Sequence, residues 1–169
     1  VLMSHLGRPK GPSADLSLKH IVPTLSNLLG KPVMFAEDCV GDKALDVTQS
    51  LQSGEVALLE NLRFHSEEKA GDEFFAGQLA ESGDVYVNDA FGTAHRAHAS
   101  TAVIAKFFPE DKAFGLLMQG EVEALHKVLS TPAKPLLAII GGAKVSSKLS
   151  ILENLVDRVD KLIVGGGMA

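Results

Sequence analysis

Three times in this chain a short apolar run ends in a polar loop that carries an arginine. Val1-Leu2-Met3-Ser4 leads into His5-Leu6-Gly7-Arg8-Pro9-Lys10, and Val56-Ala57-Leu58-Leu59 leads into Glu60-Asn61-Leu62-Arg63-Phe64-His65. Val85-Tyr86-Val87 leads into Asn88 to His98, where Arg96 stands between His95 and His98. The runs have the length and the β-branched or aromatic content of buried strands. Helical patterns separate them. Ser17 is placed to cap a helix reaching about Leu29, with Leu18, Ile21, Val22, Leu25, Leu28 and Leu29 at helical spacing. Pro23 either kinks that helix or marks its true start. Pro32 to Ala36 reads as a strand, Asp42 as the cap of a helix of about Lys43 to Gln52, and Asp72 to Glu81 as a further helix. The alternation predicts an α/β fold, a Rossmann-like parallel sheet with helices on both faces.

In such a sheet the loops that follow the strands gather on one edge, where ligands bind. Arg8, Arg63 and Arg96 would then form a basic cluster in a chain whose formal charge is −5. Any one of them alone reads as an ordinary solvated arginine. Their recurrence at strand ends favours an anion site, because the planar guanidinium fork grips phosphate or carboxylate at two points. His5, His95 and His98 form no convincing metal set beside them, so no metal site is expected. Glu67-Glu68-Lys69 does not directly follow a strand and reads as solvated surface.

The 46% hydrophobic content fits a packed globular protein. The acidic balance argues against a nucleic-acid partner, and no apolar run reaches the roughly 18 residues of a membrane span. Cys39 stands alone, which makes a reducing cytoplasm the simplest setting. Both chain ends read as cuts through a larger fold.

After a weak strand at Ala113 to Gly115, Met118, Val122, Leu125 and Leu129 mark one face of a helix from about Leu117 to Ser130. Thr131-Pro132-Ala133-Lys134-Pro135 breaks the pattern. A new apolar run, Leu136 to Ile140, enters Gly141-Gly142-Ala143-Lys144-Val145-Ser146-Ser147-Lys148, and Lys161 to Val164 enters Gly165-Gly166-Gly167. The organisation expected is a lobe of residues 1–116, a connecting helix of 117–130, and the start of a second, similar lobe at 131–169. Gly141 and Gly142 let backbone N–H groups approach phosphate oxygens, and Lys144 and Lys148, about one helical turn apart, can reach the same anion. The loop lacks the spacing of a P-loop. Read from the residues alone, phosphate binding there stands level with a plain glycine turn followed by two solvated lysines, and Gly165 to Gly167 reads equally as a tight turn.

Five stretches occur together: Ser4 to Pro9, Glu60 to Phe64, Asn88 to His98, Gly141 to Val145 with Lys148, and Val164 to Ala169. In that order they make the sequence resemble the phosphoglycerate kinase family over essentially the whole chain. The resemblance implies a two-lobed, usually monomeric enzyme that moves a phosphoryl group between 1,3-bisphosphoglycerate and ADP, giving 3-phosphoglycerate and ATP. It implies substrate binding by His5, Arg8, Arg63 and Arg96, and catalysis by Lys144 together with Arg96. Lys148, Gly141, Gly142, Gly165, Gly166 and Gly167 would contact the nucleotide, bound as Mg-ATP or Mg-ADP. The family's first strand and its magnesium-binding acidic residue would lie outside these residues, so the segment alone is expected to be inactive. The alternative is a non-enzymatic phosphate-binding α/β module.

Overall fold

The computed structural model describes residues 1–130, 132–142 and 149–168. The chain divides into two compact units, Val1–Gln119 and Gly120–Ala169. In the first unit, β1 (Val33–Ala36) pairs in parallel with β2 (Val56–Leu59). On the other side of β2, the segment around Leu2 adds a parallel bridge to Leu58. Its hydrogen bonds run from Leu2 N to Ala57 O at 2.7 Å and from Leu59 N to Leu2 O at 2.9 Å. A second parallel pair joins β3 (Tyr86–Asn88) to β4 (Lys112–Phe114). The strands of this unit are therefore parallel within each pair but do not make one continuous ladder. A cavity of about 590 Å³, lined by Met3, Leu59, Tyr86 and Asn88 among others, lies between the Leu2 segment and β3.

Helices cover both faces of the first pair, and the period of two in β2 shows how. Leu58 packs with Leu18 and Val33 against Val22 and Leu25, while its neighbour Leu59 belongs to the cluster of Phe75, Leu79, Tyr86 and Ile104 on the opposite side. Val22 and Leu25 come from α1 (Val22–Leu29), which a short 3-10 turn, Leu18–Ile21, precedes. Pro23 thus marks the helix start, where its missing N–H costs nothing. Ser17 caps the turn by accepting from Lys19 N. In α2 (Asp42–Ser50) the cap position falls to Gly41, with φ of 71°, and Asp42 is the first helical residue rather than the cap. α3 (Ser66–Ala70) is five residues long, and α4 (Glu73–Ala80) begins behind Asp72, whose carboxylate accepts from Phe75 N at 2.7 Å.

α5 (Leu116–Ser130) runs across the division between the units, which falls after Gln119. Asp89, just beyond β3, accepts from Met118 N at 2.8 Å and so ties the first turn of α5 to the end of that strand. In the second unit, β5 (Leu137–Gly141) pairs in parallel with β6 (Lys161–Gly165), and α6 (Leu149–Val156) lies between them in sequence. Asp160 fixes the start of this pair by accepting from Leu136 N at 2.7 Å and Lys134 Nζ at 3.0 Å. No helix among the described residues is long and apolar enough to cross a membrane.

Gly71 ends α3 in the left-handed conformation, with φ of 67°, and a Cβ there would sit 2.5 Å from the carbonyl oxygen of Ala97. The glycine therefore supplies both a turn and a close approach between two backbones. Gly71→Ala is expected to destabilise the protein by roughly 2–4 kcal/mol, combining left-handed strain with a backbone clash. Urea denaturation checks this; a loss below about 0.5 kcal/mol would show that the two backbones separate freely.

Candidate anion-binding edge

The loops that follow the Leu2 segment and β2 are held together by the pair Glu60-Asn61. Asn61 is fully buried, at 0% exposure. Its Nδ2 donates to the carbonyls of Leu6 at 2.9 Å and Leu16 at 2.8 Å, and its Oδ1 accepts from Arg63 N at 3.0 Å. Glu60 accepts from Ser17 Oγ, from Leu18 N at 2.8 Å and from Asn61 N at 2.7 Å. A single strand end thus grips the whole loop that carries His5 and Arg8. Arg63 completes the lacing by donating from a terminal nitrogen to Gly7 O at 3.0 Å. Its Nε is buried and makes no hydrogen bond among the described residues.

The loop after β3 is stiffened by its own short bonds. Asn88 Oδ1 accepts from Ala90 N at 3.0 Å, while Asn88 Nδ2 donates to Thr101 O at 3.1 Å across the loop's base. Thr101 Oγ1 donates to Arg96 O at 3.2 Å. Arg96 is exposed and its Nε donates to His95 Nε2 at 3.2 Å, whereas His98 is buried at 6% exposure. His95 and His98, three residues apart, are engaged separately. His95 pairs with Arg96, and His98 Nδ1 faces Glu68 Oε1 at 3.7 Å.

Electrostatics show that these loops share one neighbourhood. Burial holds the His5 imidazole below its ordinary value of 6.5, and Arg63, His98 and Arg96 push it further down while Glu68 opposes them. Burial likewise lowers His98, against the pull of Glu68 and with the push of Arg63 and Arg96. The Arg63 guanidinium is lowered by burial first and then by Arg96, with a smaller effect from Arg8. Of the residues singled out in the sequence, His5, Arg8, Arg63 and Arg96 are thus gathered on one edge. Like charges brought together around a partly unsatisfied guanidinium make a site that an anion relieves.

In the second unit, the β5–β6 register sets Gly141 opposite Gly165. Gly166, with φ of 70°, comes so close that a Cβ on it would meet Gly142 N at 3.3 Å. Gly142 itself has φ of 150°. The two glycine turns therefore lie side by side, and Gly167 belongs to the short 3-10 turn Gly166–Met168. Lys144 and Lys148 lie outside the described residues.

Sequence reasoning missed Glu68. The run Glu67-Glu68-Lys69 was expected on the solvated surface, yet Glu68 is 3% exposed and is bonded to Ser100. A helix of five residues is too short to show periodicity, so no local signal distinguishes its buried position. Asp38, Cys39 and His65 also converge, with their ligand atoms within 4.8 Å of one another. Asp38 Oδ1 is already engaged there by Cys39 N and His65 Nε2, each at 2.7 Å, and burial holds the Cys39 thiol protonated far above its usual range. That trio reads as a hydrogen-bonded contact at the margin of the core, with Cys39 buried and Asp38 and His65 half-buried.

The fold and this edge define a parallel α/β protein with cationic side chains gathered at its strand ends and paired glycine turns in a second unit. The family model for phosphoglycerate kinase matches residues 1–169, and the chain belongs to that family. It is 54% identical over 170 residues to the phosphoglycerate kinase of Methylorubrum extorquens and 56% identical over 172 residues to that of Anaeromyxobacter dehalogenans. All of this chain is covered in both comparisons, against 42% and 43% of those relatives. Among solved structures, the phosphoglycerate kinase of Coxiella burnetii matches with a TM-score of 0.81 at 42% identity, over 98% of this chain and 41% of that one. The chain thus spans about two fifths of the length of the relatives it matches.

His5 and His98 are expected to titrate below 6.5 in the folded protein and near 6.5 when unfolded. Below 6.5 the unfolded chain then binds more protons, so the stability tied to these neutral imidazoles is complete above 6.5 and is lost as pH falls towards the folded values. NMR titration of the ring C–H signals, with denaturation midpoints from pH 7.5 to 5.5, checks this; midpoints at or above 6.5 for both rings would overturn the burial argument.

Proposed function

We propose that this chain serves an enzyme that transfers a phosphoryl group between 1,3-bisphosphoglycerate and ADP, giving 3-phosphoglycerate and ATP. The first unit would take the three-carbon acid phosphate, and the second would begin the site for an adenine nucleotide bound as its magnesium complex. The observation that carries the reading is the convergence of His5, Arg63 and Arg96 from three separate loops, where both arginines lower His5 and Arg96 lowers Arg63. Arg8 joins them on the loop that Arg63 grips. A small acid that carries both a carboxylate and a phosphate is the class of ligand such an edge suits.

The chemistry fits the groups available. In the ATP-consuming direction the acceptor is a carboxylate that is already ionised at neutral pH, so no side chain is needed as a general base. Positioning and charge stabilisation then carry the catalysis. Arg96, exposed on its loop, would meet developing charge on the transferring group, and Lys144 is assigned the same role. Lys148 and the paired turns Gly141-Gly142 and Gly165 to Gly167 would meet nucleotide phosphates through an ammonium group and backbone N–H groups. We assign α5 as the connector, in keeping with its passage from one unit into the other. The side-by-side glycine turns favour this reading over a phosphate-binding module without enzymatic activity. The setting assigned is the cytoplasm, and the assembly a monomer.

Titration of the 169-residue chain with 3-phosphoglycerate, followed through the His5 and His98 signals, tests the assignment. Arg63→Ala and Arg96→Ala are each expected to weaken binding by about 10- to 100-fold, since a hydrogen bond to a charged group contributes roughly 1.5–3 kcal/mol. Unchanged binding in both variants, with folding intact, would move the ligand away from this edge.

A further inference from the structure

We propose that Glu68 is a positioning residue for the anion-binding edge: it clamps the base of the Arg96 loop and supplies the buried negative charge behind the cations. The inference rests on the anion-binding reading above. Its first support is burial. A carboxylate at 3% exposure is costly unless it is paired and bonded. Glu68 meets that condition almost wholly through the end of one loop. Its Oε2 accepts from Ser100 N at 2.9 Å, its Oε1 accepts from Ser100 Oγ at 2.7 Å, and its backbone oxygen accepts from Ala99 N at 2.9 Å. Tyr86 Oη donates to Ser100 O at 2.8 Å from the other side, so Ser100 is held between β3 and α3. Residues 98–100 are therefore fixed, two positions from Arg96.

The second support is charge. Oε1 lies 3.7 Å from His98 Nδ1, and the carboxylate acts on His5, Arg63, Cys39 and Tyr86 as well, the Tyr86 phenol being pushed up to about 12 by burial and by this neighbour. The titratable groups it acts on are His5 and Arg63 from the two upstream loops, His98 from the loop it clamps, and Tyr86 and Cys39 from the core, while Arg96 and Lys69 act on the same His98. A neutral amide at this position would keep an acceptor for Ser100 N and would face Ser100 Oγ with an NH2 donor in place of the second acceptor oxygen. The carboxylate also adds an offset to cations that otherwise repel one another while the site is empty.

Two substitutions separate the clamp from the charge. Glu68→Ala removes both and is expected to weaken 3-phosphoglycerate binding by at least about tenfold. Glu68→Gln keeps an acceptor for Ser100 N and is expected to bind within about threefold of the parent, while the NMR titration midpoint of His98 moves down because the charge that raised it is gone. A His98 midpoint unchanged in Glu68→Gln would overturn the charge role. Parent-like affinity in a folded Glu68→Ala would overturn the clamp. Should Glu68→Ala not fold, Ser100→Ala takes its place, with several-fold weaker binding expected and parent-like binding counting against the clamp. Parallel titrations of Arg63→Ala and Arg96→Ala keep the two readings apart. If those variants bind as the parent does, the ligand site itself is misplaced, whereas the His98 midpoint reports on Glu68 with no ligand present.

Discussion

Asn61 has no exposed surface, and its side chain spends both its N–H groups and its carbonyl on backbone. Those bonds reach three segments: the turn at Leu6, the turn at Leu16, and the start of the 3-10 turn that carries Arg63. A buried amide left without such partners would cost several kcal/mol, so the loops cannot leave it without a penalty. The same tether that stabilises the first unit therefore fixes the position of two of its arginine-bearing loops. It is notable for being neutral. Its charged neighbour Glu60 shares the work by accepting from Ser17 Oγ, Leu18 N and Asn61 N.

A second carboxylate, Glu68, lies deeper in the unit. Glu68 is the buried anion that acts on both His5 and His98, and in each case burial outweighs it, so both imidazoles remain easier to deprotonate than a free histidine. The free edge thereby limits its own positive charge. Two arginines in mutual contact with two protonated imidazoles would repel strongly in a partly dry environment. Neutral rings beside permanent guanidinium charges lower that repulsion while remaining able to donate a hydrogen bond.

Much of the fold is legible in the sequence because its strands are short, apolar and regularly spaced by helical patterns. Leu58 and Leu59 show why even the two-faced architecture follows: adjacent apolar residues in a strand must point to opposite sides, so both sides need cover. The arginine loops were legible for the same reason, being the first polar residues after each run. What could not be read were contacts made between distant segments. Nothing near Ser17 announces Glu60, 43 residues away, as its partner. Glu68 hides in a five-residue helix whose partner is 32 positions on. Pro23 could be read as either kink or start, and only the 3-10 turn packed ahead of it decides for a start. The division of strands into separate parallel pairs was also beyond the sequence, which shows where strands are but not which edges meet.

The two units gather polar groups at their strand ends in different ways. The first gathers side-chain cations from separate loops, tied down by Asn61 and Glu60. The second brings glycine turns together at the ends of paired strands, where a Cβ on Gly166 would make a tight 3.3 Å contact with Gly142 N and where its φ of 70° favours glycine. Backbone N–H groups carry only partial charge, so they can be crowded without a counter-ion and need no distant tether beyond the strand ladder itself. A cationic edge suits a small, fully charged acid that must be captured whole. Backbone donors suit a larger ligand whose phosphates form one end and whose remaining surface must be recognised by other means.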